Sequence, residues 1–197
     1  MTRIPTQKRS IEKRNKIIEK GFELMCEKGY YNTSTPDIAE SAGVSTGIIY
    51  QYFNDKKDIF IEGIKEYSNS IMFPMINVLE SQKIEINTFD KLLNTMIDKF
   101  IETHTISKKA HEELIAMSHL DNDISAIFKN FEFETTEKIV TLLENNNIHL
   151  ENPREKVHII INMVDNLCHE IVYHKHPQIN YDTMKNEVIN IIKNILI

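Results

Sequence analysis

The chain has 197 residues, 41% of them hydrophobic and 26% charged, a balance that suits a folded globular protein and excludes a disordered one. No apolar run approaches the ~20 residues that a membrane-spanning helix needs. The polar start Thr2-Arg3-Ile4-Pro5-Thr6-Gln7-Lys8-Arg9 is not followed by the apolar stretch of a secretory signal, so the expected location is the cytoplasm, with no membrane partner. The net charge of −6 is unevenly spread. Residues 3–20 hold seven basic and two acidic side chains, whereas residues 67–197 hold 12 basic and 19 acidic ones. A basic end on an acidic body can supply the non-specific part of polyanion binding, although a solvated, lysine-rich helix start has the same composition.

Taken in chain order, the pattern predicts about nine helices and no strands. All five glycines fall between Gly21 and Gly63, and a chain of strands and tight turns would need glycine throughout. A first helix over about Ser10 to Lys28 places Ile17, Gly21, Phe22, Met25 and Cys26 on one face, and Gly29 follows as its stop. Thr35, as a cap ahead of Pro36, opens a short second helix to Ala42, ended by Gly43. Ser45 caps a third, to about Phe53, and a fourth starts near Lys56. Pro74 is expected to end or kink that fourth helix. Asn87, with Asp90 three residues on, caps a fifth helix to about His104. A sixth covers about Ser107 to Leu120. Asp121-Asn122-Asp123 opens a seventh, which ends in the run Asn145-Asn146-Asn147. Asn152-Pro153-Arg154-Glu155 is a capping-box start for an eighth, reaching about Lys175 before Pro177, and Asn180 caps a ninth.

The chemistry concentrates in helices two and three. Two short helices joined at Gly43-Val44 have the spacing of a helix-turn-helix. Ile38, Ala39, Val44, Ile49 and Phe53 can pack the pair against the first helix. The third helix then presents Ser45, Thr46, Gly47, Ile48, Tyr50, Gln51 and Tyr52, a face without acidic residues, as entry into a DNA major groove requires.

The stretch from Gly29 through Thr35, Ile38-Ala39, Ala42-Gly43-Val44-Ser45, Gly47, Tyr50 and Phe53 to Lys56 resembles the signature of TetR-type regulators at each position of the pattern. The resemblance covers about residues 10–66. Met25 departs from it, since members often carry an aromatic there. The resemblance implies that Thr35, Tyr50 and Lys56 meet backbone phosphates and that Ser45, Thr46 and Gly47 open the recognition helix toward DNA. Gln51 and Tyr52 are the base-reading candidates, Gln for adenine and Tyr for a thymine methyl.

Beyond the motif, residues 56–197 are expected to form an effector-binding and dimerisation domain, after a DNA-binding domain over 1–55. The eighth and ninth helices are apolar on more than one face, which suggests a symmetric homodimer; Ile161, Val164, Cys168, Ile191 and Ile195 are the candidates to include partner-facing residues. Met96, Phe100, Met117, Phe128, Phe131 and Met163 could line an adaptable pocket for an apolar or amphipathic small molecule, or simply be core. Cys26 and Cys168 read as buried free thiols. His104, His111, His119, His169, His174 and His176 show no metal-ligand spacing, so no metal or other cofactor is expected. Gly43-Val44-Ser45-Thr46-Gly47 lacks the strand that a serine nucleophile elbow needs, and no catalytic residue stands out. The expected function is a ligand-responsive repressor released from a palindromic operator by its effector. An all-α protein-interaction module is the alternative, and a small helical enzyme a third possibility.

Overall fold

In the computed structural model the described residues are 5–81, 84, 88–105 and 108–196, with the backbone alone considered at 71–75. Among them are nine helices and no strand: α1 (Lys8–Lys28), α2 (Thr35–Ala42), α3 (Thr46–Tyr52), α4 (Lys56–Glu80), α5 (Phe89–His104), α6 (Lys108–Leu120), α7 (Asn122–Asn145), α8 (Pro153–Val172) and α9 (Tyr181–Leu196). Their contacts divide into two units. The first comprises residues 1–69 and 109–125, the second residues 70–108 and 126–197.

In the first unit, α1 buries Ile17, Ile18, Gly21, Met25 and Cys26, and α2 lies along it. Ile38, Ala39 and Ala42 of α2, Ile49 of α3, and Ile59, Phe60 and Ile64 of α4 complete this core with Leu114 and Met117 of α6. Each such side chain contributes on the order of 1.5–3 kcal/mol by leaving water. Gly63 marks the tightest approach: a Cβ there would overlap the Phe22 side chain. The unit extends past residue 55 for a visible reason. Glu113 of α6 accepts the Tyr30 amide proton, and Lys57 bridges Asp121 at 2.8 Å and Asp123 at 2.6 Å.

In the second unit, Leu79, Leu92, Leu93, Ile97, Leu143, Val157, Leu167, Val188 and Ile192 form one apolar cluster, with α5 against α8 and α8 against α9. Its exposed faces carry ion pairs, Lys185–Asp98 at 2.5 Å and Lys193–Asp90 at 2.8 Å.

Several helix boundaries differ from the sequence reading. Ser34, not Thr35, caps α2: its hydroxyl accepts from the Asp37 amide while Asp37 accepts from the Ser34 amide, a complete capping box. Thr35 is thereby the first helical residue. Pro74 does not end α4, which continues to Glu80. One missing backbone bond costs ~3 kcal/mol, and burial of Ile76 and Leu79 beyond it offsets that. Asn87, proposed as a cap, lies outside the described residues, as does Ser107; α5 follows Thr88. Asn152 precedes Pro153 as expected but sits in the left-handed region (φ 53°) and makes no side-chain cap, because capping needs an extended backbone at that position. Asn180 does cap α9, accepting from the Thr183 amide at 2.9 Å. α8 stops at Val172, short of Lys175.

Candidate nucleic-acid interface

The turn between α2 and α3 is set by local chemistry. Gly43 is left-handed (φ 68°) and its amide returns to the α2 carbonyls of Ala39 and Glu40, a closure that favours glycine. The Val44 amide adds a bond to the Ala39 carbonyl at 2.9 Å. Ser45 then takes the N-cap position of α3 without a side-chain cap bond, so its hydroxyl is not spent on the helix. At Gly47 the nearest atom to an added Cβ is Ser45 Oγ, 4.0 Å away. The start of α3 is thus small side chains on an exposed segment, which allows a phosphate to come close to a helix N-terminus.

The eight candidate DNA contacts separate into two groups. Ser45, Gly47, Tyr50 and Gln51 are exposed, Tyr50 at 54%, and Thr46 on α3 and Thr35 at the start of α2 are half-buried. Tyr52 and Lys56 are committed to the protein. The Tyr52 hydroxyl is 2.6 Å from Ser10 Oγ, and its ring stands edge-on to Phe53. Tyr52 therefore ties the end of α3 to the start of α1.

Lys56, a candidate phosphate contact, is also bonded within the protein. Its Nζ donates to the carbonyls of Tyr30 at 2.6 Å and Thr33 at 2.8 Å, and it lies 4.4 Å from the Tyr30 ring centroid. Burial pushes this ammonium below the usual lysine range. A phosphate would have to displace two charge-assisted bonds, so Lys56 acts as a clamp on the turn after α1.

Sequence reasoning passed over Arg14 and Lys16. Arg14 reaches Glu62 at 3.0 Å and lies 5.1 Å from the Phe53 ring centroid, bracing α1, α3 and α4. The Lys16 Nζ is 3.7 Å from where a Cβ would stand on Gly43, which puts a cation at the helix-turn-helix turn. Helical spacing was the available signal: Ser10, Arg14 and Ile17 share a face of α1, and Lys13 and Lys16 flank it.

The remaining candidates are dispersed. Met117 is buried in the first unit, whereas Met96 and Met163 pack on the apolar cluster of the second. Phe100 is buried, with its ring 4.3 Å from that of His104; Phe128 and Phe131 are half-buried on α7. Among the proposed partner-facing residues Ile191 is 45% exposed, while Cys168 is fully buried in its own unit and has no surface to offer; Ile161, Val164 and Ile195 are half-buried. Cys26 and Cys168 are free buried thiols, and burial pushes Cys26 up to about 12. No helix among the described residues is long and apolar enough to cross a membrane.

Residues 17–62 match the model of the tetR family of bacterial regulatory proteins. The chain is 43% identical over 75 residues to the HTH-type transcriptional regulator HbdR of Aromatoleum sp. (strain CIB), which is 38% of this chain and 28% of that protein. The chain thus spans little more than a quarter of that relative, and 26% of another that is 44% identical. The fold is similar to that of a TetR-family transcriptional regulator from Mesorhizobium loti MAFF303099, with a TM-score of 0.75 over 96% of this chain and 98% of that one at 17% identity. It is also similar to a transcriptional regulator from Saccharomonospora viridis solved in complex with choline, with a TM-score of 0.65 over 92% and 96% at 17% identity.

Proposed function

We propose that this chain, whose residues 17–62 match the model of the tetR family of bacterial regulatory proteins, is a repressor that binds a near-palindromic operator as a homodimer and leaves it when a small molecule binds the second unit. The observation that carries the reading is the exposed, acid-free face of α3, Ser45-Gly47-Tyr50-Gln51, held on a turn in which the Gly43 and Val44 amides bond back to α2. Tyr50 donates to a backbone phosphate and Gln51 reads an adenine edge. Ser45, Thr46 and Gly47 allow close approach of the α3 start, and Thr35 meets a phosphate at the start of α2. Lys16, with the exposed Lys8, Arg9 and Lys13 of α1, adds sequence-independent attraction.

Two copies placing their recognition helices ~34 Å apart would read two half-sites one DNA turn apart. The apolar surface left on α8 and α9, with Ile159 and Ile191 exposed, supports a two-fold partner there. The effector site is drawn from Met96, Phe100, Phe128, Phe131 and Met163 of the second unit, flexible and aromatic side chains that suit an apolar or amphipathic ligand. Whatever the ligand, its effect on operator affinity equals the operator's effect on its own affinity. The test is a mobility shift of the DNA flanking the gene by purified protein. A retarded band that is lost at high salt and restored by a palindromic competitor-free fragment supports the reading; no retardation at low salt and micromolar protein refutes it.

A further inference from the structure

The sequence places its histidines without metal-ligand spacing, yet the second unit gathers two of them around one carboxylate. His104 is the last residue of α5 and is almost fully buried. Asp165 and His169 are one turn apart on α8 and share a face. The Nε2 of His104 lies 3.4 Å from one oxygen of Asp165, and the Nε2 of His169 lies 3.5 Å from the other. The two imidazoles offer nitrogens within 4.8 Å of each other, and their ring centroids are 5.3 Å apart.

The hydrogen bond on the far side of His104 decides which of its nitrogens faces the cluster. Its Nδ1 is 2.8 Å from the Phe100 carbonyl oxygen. A carbonyl only accepts, so Nδ1 carries a proton, and Nε2 is the nitrogen turned toward Asp165. That bond is the one a ligating histidine makes to fix its tautomer. The Tyr173 hydroxyl donates to the His104 carbonyl and steadies the end of α5. The spacing suits a metal: two donors at ~2.0–2.1 Å on a tetrahedral zinc ion are themselves ~3.3 Å apart. The Asp165 side chain is 42% exposed, which gives the ion a path in and leaves room for a water ligand.

We propose that His104, Asp165 and His169 form a binding site for a divalent transition-metal ion. Two imidazoles and one carboxylate suit Zn²⁺, Co²⁺ or Ni²⁺, while Mg²⁺ and Ca²⁺ prefer all-oxygen sites. The site is independent of the DNA-binding reading, and its test uses no DNA, so either can fail alone.

The full chain, stripped with a chelator and dialysed, is titrated with CoCl₂ and followed by visible absorption, then challenged with ZnCl₂. The expected result is one equivalent of Co²⁺ per chain with the strong bands of a low-coordinate ion, displaced by Zn²⁺ and unaffected by excess MgCl₂. Asp165→Asn and His169→Gln should each lower Co²⁺ affinity ~10-fold or more, with helicity by circular dichroism unchanged. Asp165→Asn is the decisive variant, because its half-exposed position lets the fold survive the change, whereas His104→Gln alters a buried residue. A spectrum no different from hexaaqua cobalt at millimolar Co²⁺ would overturn the proposal. So would equal affinity in the wild type and both variants, which would assign the binding to surface histidines such as His119, His174 and His176.

Discussion

The two units solve the same problem, burying apolar helix faces, by different means. The first holds all five glycines and uses them for a left-handed turn at Gly43 and a helix crossing at Gly63 where no Cβ fits. Its polar groups are turned inward onto backbone: Ser34 and Asp37 cap α2, and Lys56 clamps the turn after α1. The second has no glycine in its long helices and relies on apolar stripes rimmed by exposed ion pairs. Both units leave large apolar side chains in solvent, Ile115 and Leu120 in the first and Phe133, Ile159, Ile179 and Ile191 in the second. A unit built from special backbone positions tolerates few sequences and holds one surface in place. A unit built from stripes tolerates many, and its surface can change partner or ligand while the fold stays.

The contrast is sharpest for a charge on the apolar surface of the second unit. Ile191→Asp should leave the helical content intact but convert the protein to monomer, with operator affinity falling ~100-fold or more as the second half-site is lost. Sedimentation velocity and the mobility shift read the two effects. A dimer of unchanged operator affinity would show that the exposed isoleucines are ordinary surface.

In the first unit the comparable blow falls on stability. Gly63→Ala forces a methyl group into Phe22 and should cost about 1–3 kcal/mol by thermal or urea unfolding; a wild-type midpoint would mean that the α1–α4 crossing is loose.

Lys56 and Tyr50 separate clamp from contact. Lys56→Met should lose about 1.5–3 kcal/mol of stability, since two charge-assisted bonds disappear, and operator binding should weaken only as folding does. Tyr50→Phe should do the reverse: unchanged unfolding, with operator affinity several-fold lower at low salt. Identical behaviour of the two variants in both assays would erase the distinction drawn between them.

Removing the α2 cap is smaller again. Ser34→Ala should cost about 1 kcal/mol, read as a lower unfolding midpoint, and a change within error would show that Asp37 alone suffices. The smallest effect is acid sensitivity. The hydrogen bond from Lys57 holds Asp121 below the usual carboxylate range, so its contribution to stability is present above the ordinary value of 3.8 and is lost as pH falls through the lowered one. The stability gap between wild type and Asp121→Asn should therefore hold constant above the ordinary value of 3.8 and narrow as pH falls below it. A gap that does not narrow in acid would assign the stabilisation to the α7 cap bonds, which Asp121 also accepts from Asp123 and Ile124.

Much of the fold was legible from residues with strong local rules. Gly29 and Gly43 ended their helices, Pro153 began one and Asn180 capped another, because backbone preferences and capping act within four residues and ignore the rest of the chain. The identity of the α3 face followed from the same short range. At Pro74 the rule allowed an end or a kink, and α4 does not end there: it runs on to Glu80, with Ile76 and Leu79 buried beyond the proline.

What the sequence determined by itself is the helix plan, the turn at Gly43, the buried state of Cys26 and Cys168, and a short helix opening with Ser45-Thr46-Gly47. What only the tertiary structure decided is how side chains with several options spend their polar groups. Lys56 could meet a phosphate or cap a turn, Tyr52 could read a base or hold α1, and His104 could be one isolated core residue or half of a pair with His169. The choice in each case depends on which groups lie within about 3.5 Å, and those groups stand 10 or more positions away in sequence: Tyr30 and Thr33 for Lys56, Ser10 for Tyr52, Asp165 and His169 for His104. Hydrogen bonds and ion pairs are short-ranged in space and indifferent to chain separation, so a periodic pattern can announce a helix and its buried face but not the partner across it.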